Sequence, residues 1–115
     1  MVELLVATSI MGIAVVSVVM AMSTTFTTAA ANRQATNAGI VARDYAEALE
    51  LAAAGTNAWC STSYTVSYTP PTGYSASASM GSCPGSSAAQ YQTGTITATA
   101  PNGDSETLKV VVRKP

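Results

Sequence analysis

Residues 4–22, LLVATSIMGIAVVSVVMAM, run for 19 positions without a charge, and none follows until Arg33. As a helix this stretch spans about 28 Å at 1.5 Å per residue, close to the ~30 Å hydrocarbon core of a bilayer. Its most polar members are Thr8, Ser9 and Ser17. A chain of 115 residues has room for one modest domain. Such a domain cannot hide an apolar rod of this length, so the rod needs lipid or neighbouring subunits. One carboxylate, Glu3, stands alone at its mouth, with no base before Arg33 to pair with it.

Three uses of the segment compete. A cleavable secretory signal opens on a positive region, and this one carries Glu3 instead. An ordinary transmembrane anchor favours flanking Lys or Arg on its cytoplasmic side, and none precedes the run. A helix that first anchors the chain and later packs against its own kind accommodates the acid.

Beyond Met22 the sequence stays compatible with helix until Gly55. Thr24, Thr25, Thr27 and Thr28 are poor helix formers and predict a locally loose stretch. From Ala35 the pattern sharpens. Val41, Tyr45, Ala48, Leu49 and Ala52 recur at helical spacing as one apolar stripe, while Arg43, Glu47 and Glu50 line another face. Gly55 stands where a helix stop belongs. The expectation is one helix of about 50 residues and about 80 Å, apolar all round in its first half and amphipathic in its second.

After Asn57 the period changes to two. STSYTVSYT alternates up to Pro70 and Pro71, and GYSASASM alternates again before the loop GSCPGSSAAQ. YQTGTITATA and SETLKVVVR flank PNGD, the strongest hairpin signal in the chain. These segments predict four short antiparallel strands, with one face resting on the helix stripe. The fold class is therefore α+β, with a hydrophobic-then-amphipathic N-terminal helix packed on a small antiparallel sheet. Its divisions are a stem at 1–25, the amphipathic part of the same helix at 26–56, and a β-domain at 57–115. Val41, Tyr45 and Leu49 are expected to meet Val66, Ile96, Leu108 or Val110.

Composition narrows the chemistry. Charged residues make up 10% of the chain against an average near ~25%, and the net charge is −1. No electrostatic footprint for nucleic acid is visible. Histidine is absent, which removes the commonest general base and the commonest metal ligand together. With no activated nucleophile and no phosphate-binding loop, catalysis is not expected, nor is any cofactor. Asn102, Asp104 and Glu106 place oxygens at alternate positions, a spacing that suits a hairpin turn better than a calcium loop. Cys60 and Cys83, an even count behind an export-type N-terminus, read as one disulfide. The Ser/Thr-rich span from Ser61 to Ser82 offers sites for O-glycans.

VELLVATSIMGI, then a hydrophobic stem, an amphipathic helix and a small β-domain, resembles the type IV pilins and their pseudopilin relatives. The resemblance is specific over residues 2–22 and architectural beyond. Compact size, Ser-Tyr strands, two cysteines and the ending ETLKVVVRKP are similar to compact pilins of Gram-positive, particularly actinobacterial, lineages. The resemblance implies a ladle-shaped pilin fold. It also implies a short basic leader ending in Gly, cut by a prepilin peptidase that methylates the new N-terminus; in that scheme Met1 stands where a third mature residue would. The family's acid near that terminus matches Glu3, and its stem glycine matches Gly12. Many bacterial pilins also carry a stem proline soon after that glycine, and VVSVVMAM has none.

The resulting expectation is a structural subunit that polymerises with copies of itself through its N-terminal helix. It would sit in the cell membrane before assembly and in an extracellular pilus afterwards, handled by the peptidase and a pilus assembly platform. The alternative is a minor pilin or a pseudopilin of a secretion or DNA-uptake machine. A monomeric membrane-anchored binding module is the reading from a different class.

Overall fold

A computed structural model describes residues 1–55, 59–83 and 90–115. The expected boundary at residues 56 and 57, and most of the loop at 81–90, lie outside the described residues. One helix, α1 (Val2–Ala53), is followed by three strands, β1 (Ser75–Met80), β2 (Tyr91–Thr99) and β3 (Ser105–Arg113). The strands form one antiparallel sheet in the order β1-β2-β3. The α+β layout of a long apolar-then-amphipathic helix and a small sheet is thus observed.

The chain divides into two compact units, Met1–Arg33 and Gln34–Pro115. In the first, every residue is exposed. The expected looseness at Thr24–Thr28 is not found, because α1 runs through unbroken. Each threonine hydroxyl there donates to a carbonyl one turn back, for example Thr25 Oγ1 to the Ala21 oxygen at 2.9 Å and Thr28 Oγ1 to the Thr24 oxygen at 2.8 Å. The hydroxyls that compete with helix in water here bond to the helix itself.

In the second unit, Ala38, Val41, Ala42, Leu49 and Ala53 are the buried residues of α1. Val41, Ala42, Leu49 and Ala53 form one core with Ile96 and Ala98 of β2 and Val112 of β3. Tyr45, Val66, Leu108 and Val110 pack against that core, so Val41, Tyr45 and Leu49 of the expected stripe face the sheet, whereas Ala48 and Ala52 are half-buried outside the core and Ala38, Ala42 and Ala53 are buried in their place. Arg43, Glu47 and Glu50 are exposed, as their separate face requires. Tyr45 and Tyr68 meet edge to face, with ring centroids 5.9 Å apart and planes at 89°, the arrangement their quadrupoles favour. Desolvation, and then the nearby Asp44 carboxylate, push the Tyr68 phenol above its ordinary pKa.

Among the described residues the sheet has three strands where four were expected. Residues 63–70 keep the alternation, with Tyr64, Val66, Tyr68 and Pro70 half-buried between exposed neighbours, but they form no ladder. Period two reports which side chains face inward; a strand also needs a backbone partner. Here the aromatic side chains dock on the core while the backbone finds no strand partner among the described residues. The segment then ends in a turn closed by Tyr74 N–H donating to the Pro71 oxygen at 3.0 Å. Gly73 takes φ +86° in that turn, and a Cβ there would lie 2.9 Å from the Pro101 side chain. PNGD makes the expected hairpin. Pro101, Asn102 and Gly103 bridge β2 and β3, with Gly103 at φ +90° and its N–H bonded to the Ala100 oxygen at 2.9 Å.

Candidate functional site

The feature with the largest chemical consequence is the surface of the stem. Leu4 is 71% exposed, Met11 74% and Val19 60%. The most apolar 18-residue window of α1 is long and apolar enough to cross a membrane, and none of it is buried within the chain. The three hydroxyls inside residues 4–22 are already satisfied. Thr8 donates to the Leu4 oxygen at 3.0 Å, Ser9 to the Leu5 oxygen at 2.8 Å and Ser17 to the Ile13 oxygen at 2.9 Å. A helix that satisfies its own polar groups enters lipid or a dry bundle without the cost of orphaned donors. Among the described residues of this segment, Glu3 is the exception. It lies exposed in the first turn of α1 with its charge unpaired, where the positive end of the helix dipole favours an acid.

Gly12, the other stem residue singled out by sequence, lies mid-helix. A Cβ added there would meet nothing within 4 Å. No packing inside this chain explains a glycine at a position where it costs about 1 kcal/mol relative to alanine. The structure keeps Glu3 and Gly12 in one helix.

A second constellation closes the β-bearing unit. Cys60 and Cys83 form a disulfide with Cα atoms 5.4 Å apart, linking positions 23 apart in sequence. Closing a loop of this size contributes about 3 kcal/mol in the chain-entropy account, a large share for a domain with a small core. Cys60 adopts φ +64°, a conformation that non-glycine residues rarely take. Its N–H and that of Ser61 both donate to the Tyr64 hydroxyl oxygen, at 3.1 and 3.3 Å. That hydroxyl in turn donates to Gln92 Oε1 at 2.8 Å. Gln92 Nε2 completes the set by donating to the Ser61 oxygen at 3.0 Å and the Gly81 oxygen at 2.7 Å. Gln92 is 1% exposed, the one buried polar side chain among the described residues. It fastens both approaches to the disulfide onto β2.

Sequence reading found the cysteines and missed Gln92. The signal was present: in YQTGTITATA, Gln92 falls on the same parity as Ile96 and Ala98, so an inward-facing polar residue was legible. Replacing Gln92 with leucine strands the Tyr64 hydroxyl and two carbonyls. The expected cost is at least about 1–3 kcal/mol, the penalty for one buried group left unpaired. Thermal unfolding of the oxidised full chain in detergent measures it, and a Tm equal to wild type would show that water replaces the amide freely.

No protein-family model, no curated protein and no solved structure matches the chain.

Proposed function

We propose that this chain is a structural, non-catalytic subunit of an extracellular type IV pilus, assembled through the helix that carries Glu3. The observation that carries the reading is a stem exposed along its whole length, with its hydroxyls internally satisfied and one charge unsatisfied. Joined to a separately cored, disulfide-closed unit, such a stem suits two successive surroundings, the bilayer and a bundle of identical stems. The resemblance of VELLVATSIMGI to the pilin opening supplies the family, and with it the pilin ladle, the peptidase and the assembly platform as partners. The cell membrane before assembly and the pilus afterwards are its proposed locations.

Electron microscopy of filaments sheared from the cell surface tests this. Antibody raised against residues 34–115 should decorate them continuously along their length. Sparse or tip-only labelling would assign the chain to the minor pilins or pseudopilins. Single copies in the membrane with no labelled filament would overturn the filament reading.

A further inference from the structure

The face of the sheet turned away from the core is made mostly of hydroxyl side chains. The register aligns Ser75, Thr99 and Ser105 in one row across the strands, Ser77, Thr97 and Thr107 in the next, and Ser79, Thr95 and Lys109 in a third. Thr93 pairs with Val111, and Tyr91 with Arg113, in the last two. Every outward position at 75–79, 93–99 and 105–107 therefore carries a hydroxyl. Among the described residues, none of these hydroxyls has a hydrogen-bond partner in the protein. Rows recur about every 6.6–6.8 Å along a strand and positions about every 4.7–4.9 Å across it, which gives a regular lattice of groups that both donate and accept.

The lattice is not flat throughout. Between the Ser79–Thr95–Lys109 row and the Thr93–Val111 row lies an open trough of about 490 Å³; the Met80 and Val110 side chains beneath it pack against the core on the other face. That volume is within the range of small-ligand sites, about 300–1,000 Å³. Beyond it stands Tyr91, 59% exposed. Two cations lie on this face. Lys109 and Arg113 point outward, whereas Asp44, Glu47 and Glu50 belong to α1 and Asp104 to the β2–β3 turn. Glu106 falls on the opposite parity of β3, paired with Ala98. Of the two cations on this face, Lys109 lines the trough, while Arg113 borders a depression that Glu50 of α1 lines with it.

We propose that this face binds a carboxylated polysaccharide, with a sugar unit seated in the trough, acidic groups on Lys109 and Arg113, and sugar hydroxyls on the Ser/Thr rows. The choice follows from what the face offers and lacks. A protein partner needs buried apolar or aromatic anchors, and only Tyr91 and Val111 are available. Nucleic acid needs many cations to displace counterions, and there are two, about 13 Å apart along β3. A sugar polymer needs hydroxyls that both donate and accept, an aromatic edge and a few positive charges. Threonines, with restricted rotamers, lose little freedom on binding.

The test uses the full chain in detergent over immobilised polygalacturonate, with dextran, polyglutamate and duplex DNA as comparison surfaces. Binding to polygalacturonate should exceed binding to each of the others by about tenfold or more, as expected when charged and neutral hydrogen bonds act together. Lys109→Ala with Arg113→Ala should weaken it by at least about tenfold. Thr95→Val with Thr97→Val, a nearly isosteric pair that suits a strand, should weaken it by about 3–30-fold with Tm retained. Absence of binding to polygalacturonate overturns the proposal. So does equal binding to polyglutamate or DNA, which would reduce the face to charge alone, or wild-type affinity in the threonine double variant.

Discussion

Leu49→Ala should lower the stability of the β-bearing unit by about 2–5 kcal/mol, the range for truncating a fully buried leucine. Leu49 is 1% exposed and shares a core with Val41, Ile96, Ala98 and Val112. Its place in that core explains the size of the effect. Ala38, Ala42 and Ala53 bring the helix to the sheet with almost no side-chain volume, so few large residues fill the space between them. Leu49 is the largest buried side chain that α1 contributes. The disulfide fixes the segment that follows α1, which restricts the collapse that would otherwise shrink the vacated space. Thermal melting of the oxidised chain should show a drop of at least about 8 °C, taking the scaling for small domains. The Leu49→Met variant, which nearly conserves volume, should cost below about 1.5 kcal/mol. Equal losses for the two substitutions would mean that shape rather than buried volume sets the cost, and a loss below half a kcal/mol for alanine would remove Leu49 from the core.

Much of this fold is legible in residue order because hydropathy and geometry share a period. Nineteen uncharged residues announce the stem, the 3.6-residue recurrence of Val41, Tyr45 and Leu49 marks the face of α1 that packs, and PNGD places the hairpin. The reading fails where a signal has two causes. Tyr64, Val66 and Tyr68 alternate like a strand because they dock on a core, and nothing in their order says whether a neighbour's backbone is within reach. Ala38, Ala42 and Ala53 were passed over because alanine in an alanine-rich helix gives no contrast between faces. The outward hydroxyl lattice depends on the register of β1, β2 and β3 together. TGTITAT and SASAS each show alternation, but only pairing shows that their hydroxyls share one face. The stem presents the reverse case. Glu3 and Gly12 were conspicuous in sequence, and among the described residues of a single copy neither meets a partner.

Glu3→Ala should leave synthesis and membrane insertion intact and block or greatly slow filament assembly. In the bilayer, a carboxylate in the first turn of a helix reaches the headgroup region at little cost. Alanine there changes nothing the membrane demands. The proposed assembly would remove the stem from lipid, and apolar side chains such as Leu4, Met11 and Val19, all more than half exposed in one chain, would then have to shield one another from water. That surface provides the cohesion. It provides no register, because one apolar helix slides along another with little change in buried area. In the proposed filament Glu3 would supply the missing constraint: inside a dry bundle an unpaired charge costs several kcal/mol, so only stagger positions that bring a cation to it would be populated. No Lys or Arg precedes Arg33, and the resemblance to pilins makes that cation the N-terminal amine of a neighbouring stem. In the proposed filament that pair would act by selecting one axial offset, with little net contribution to stability. Glu3→Gln sharpens the test. It keeps the size and hydrogen-bonding capacity of the side chain while deleting its charge, so it should fail as alanine does, whereas Glu3→Asp should retain part of the assembly. Filament counts and lengths, measured by electron microscopy in cells lacking the wild-type chain, decide the matter. Filaments of normal number and length built from Glu3→Gln would show that the carboxylate does not set the register.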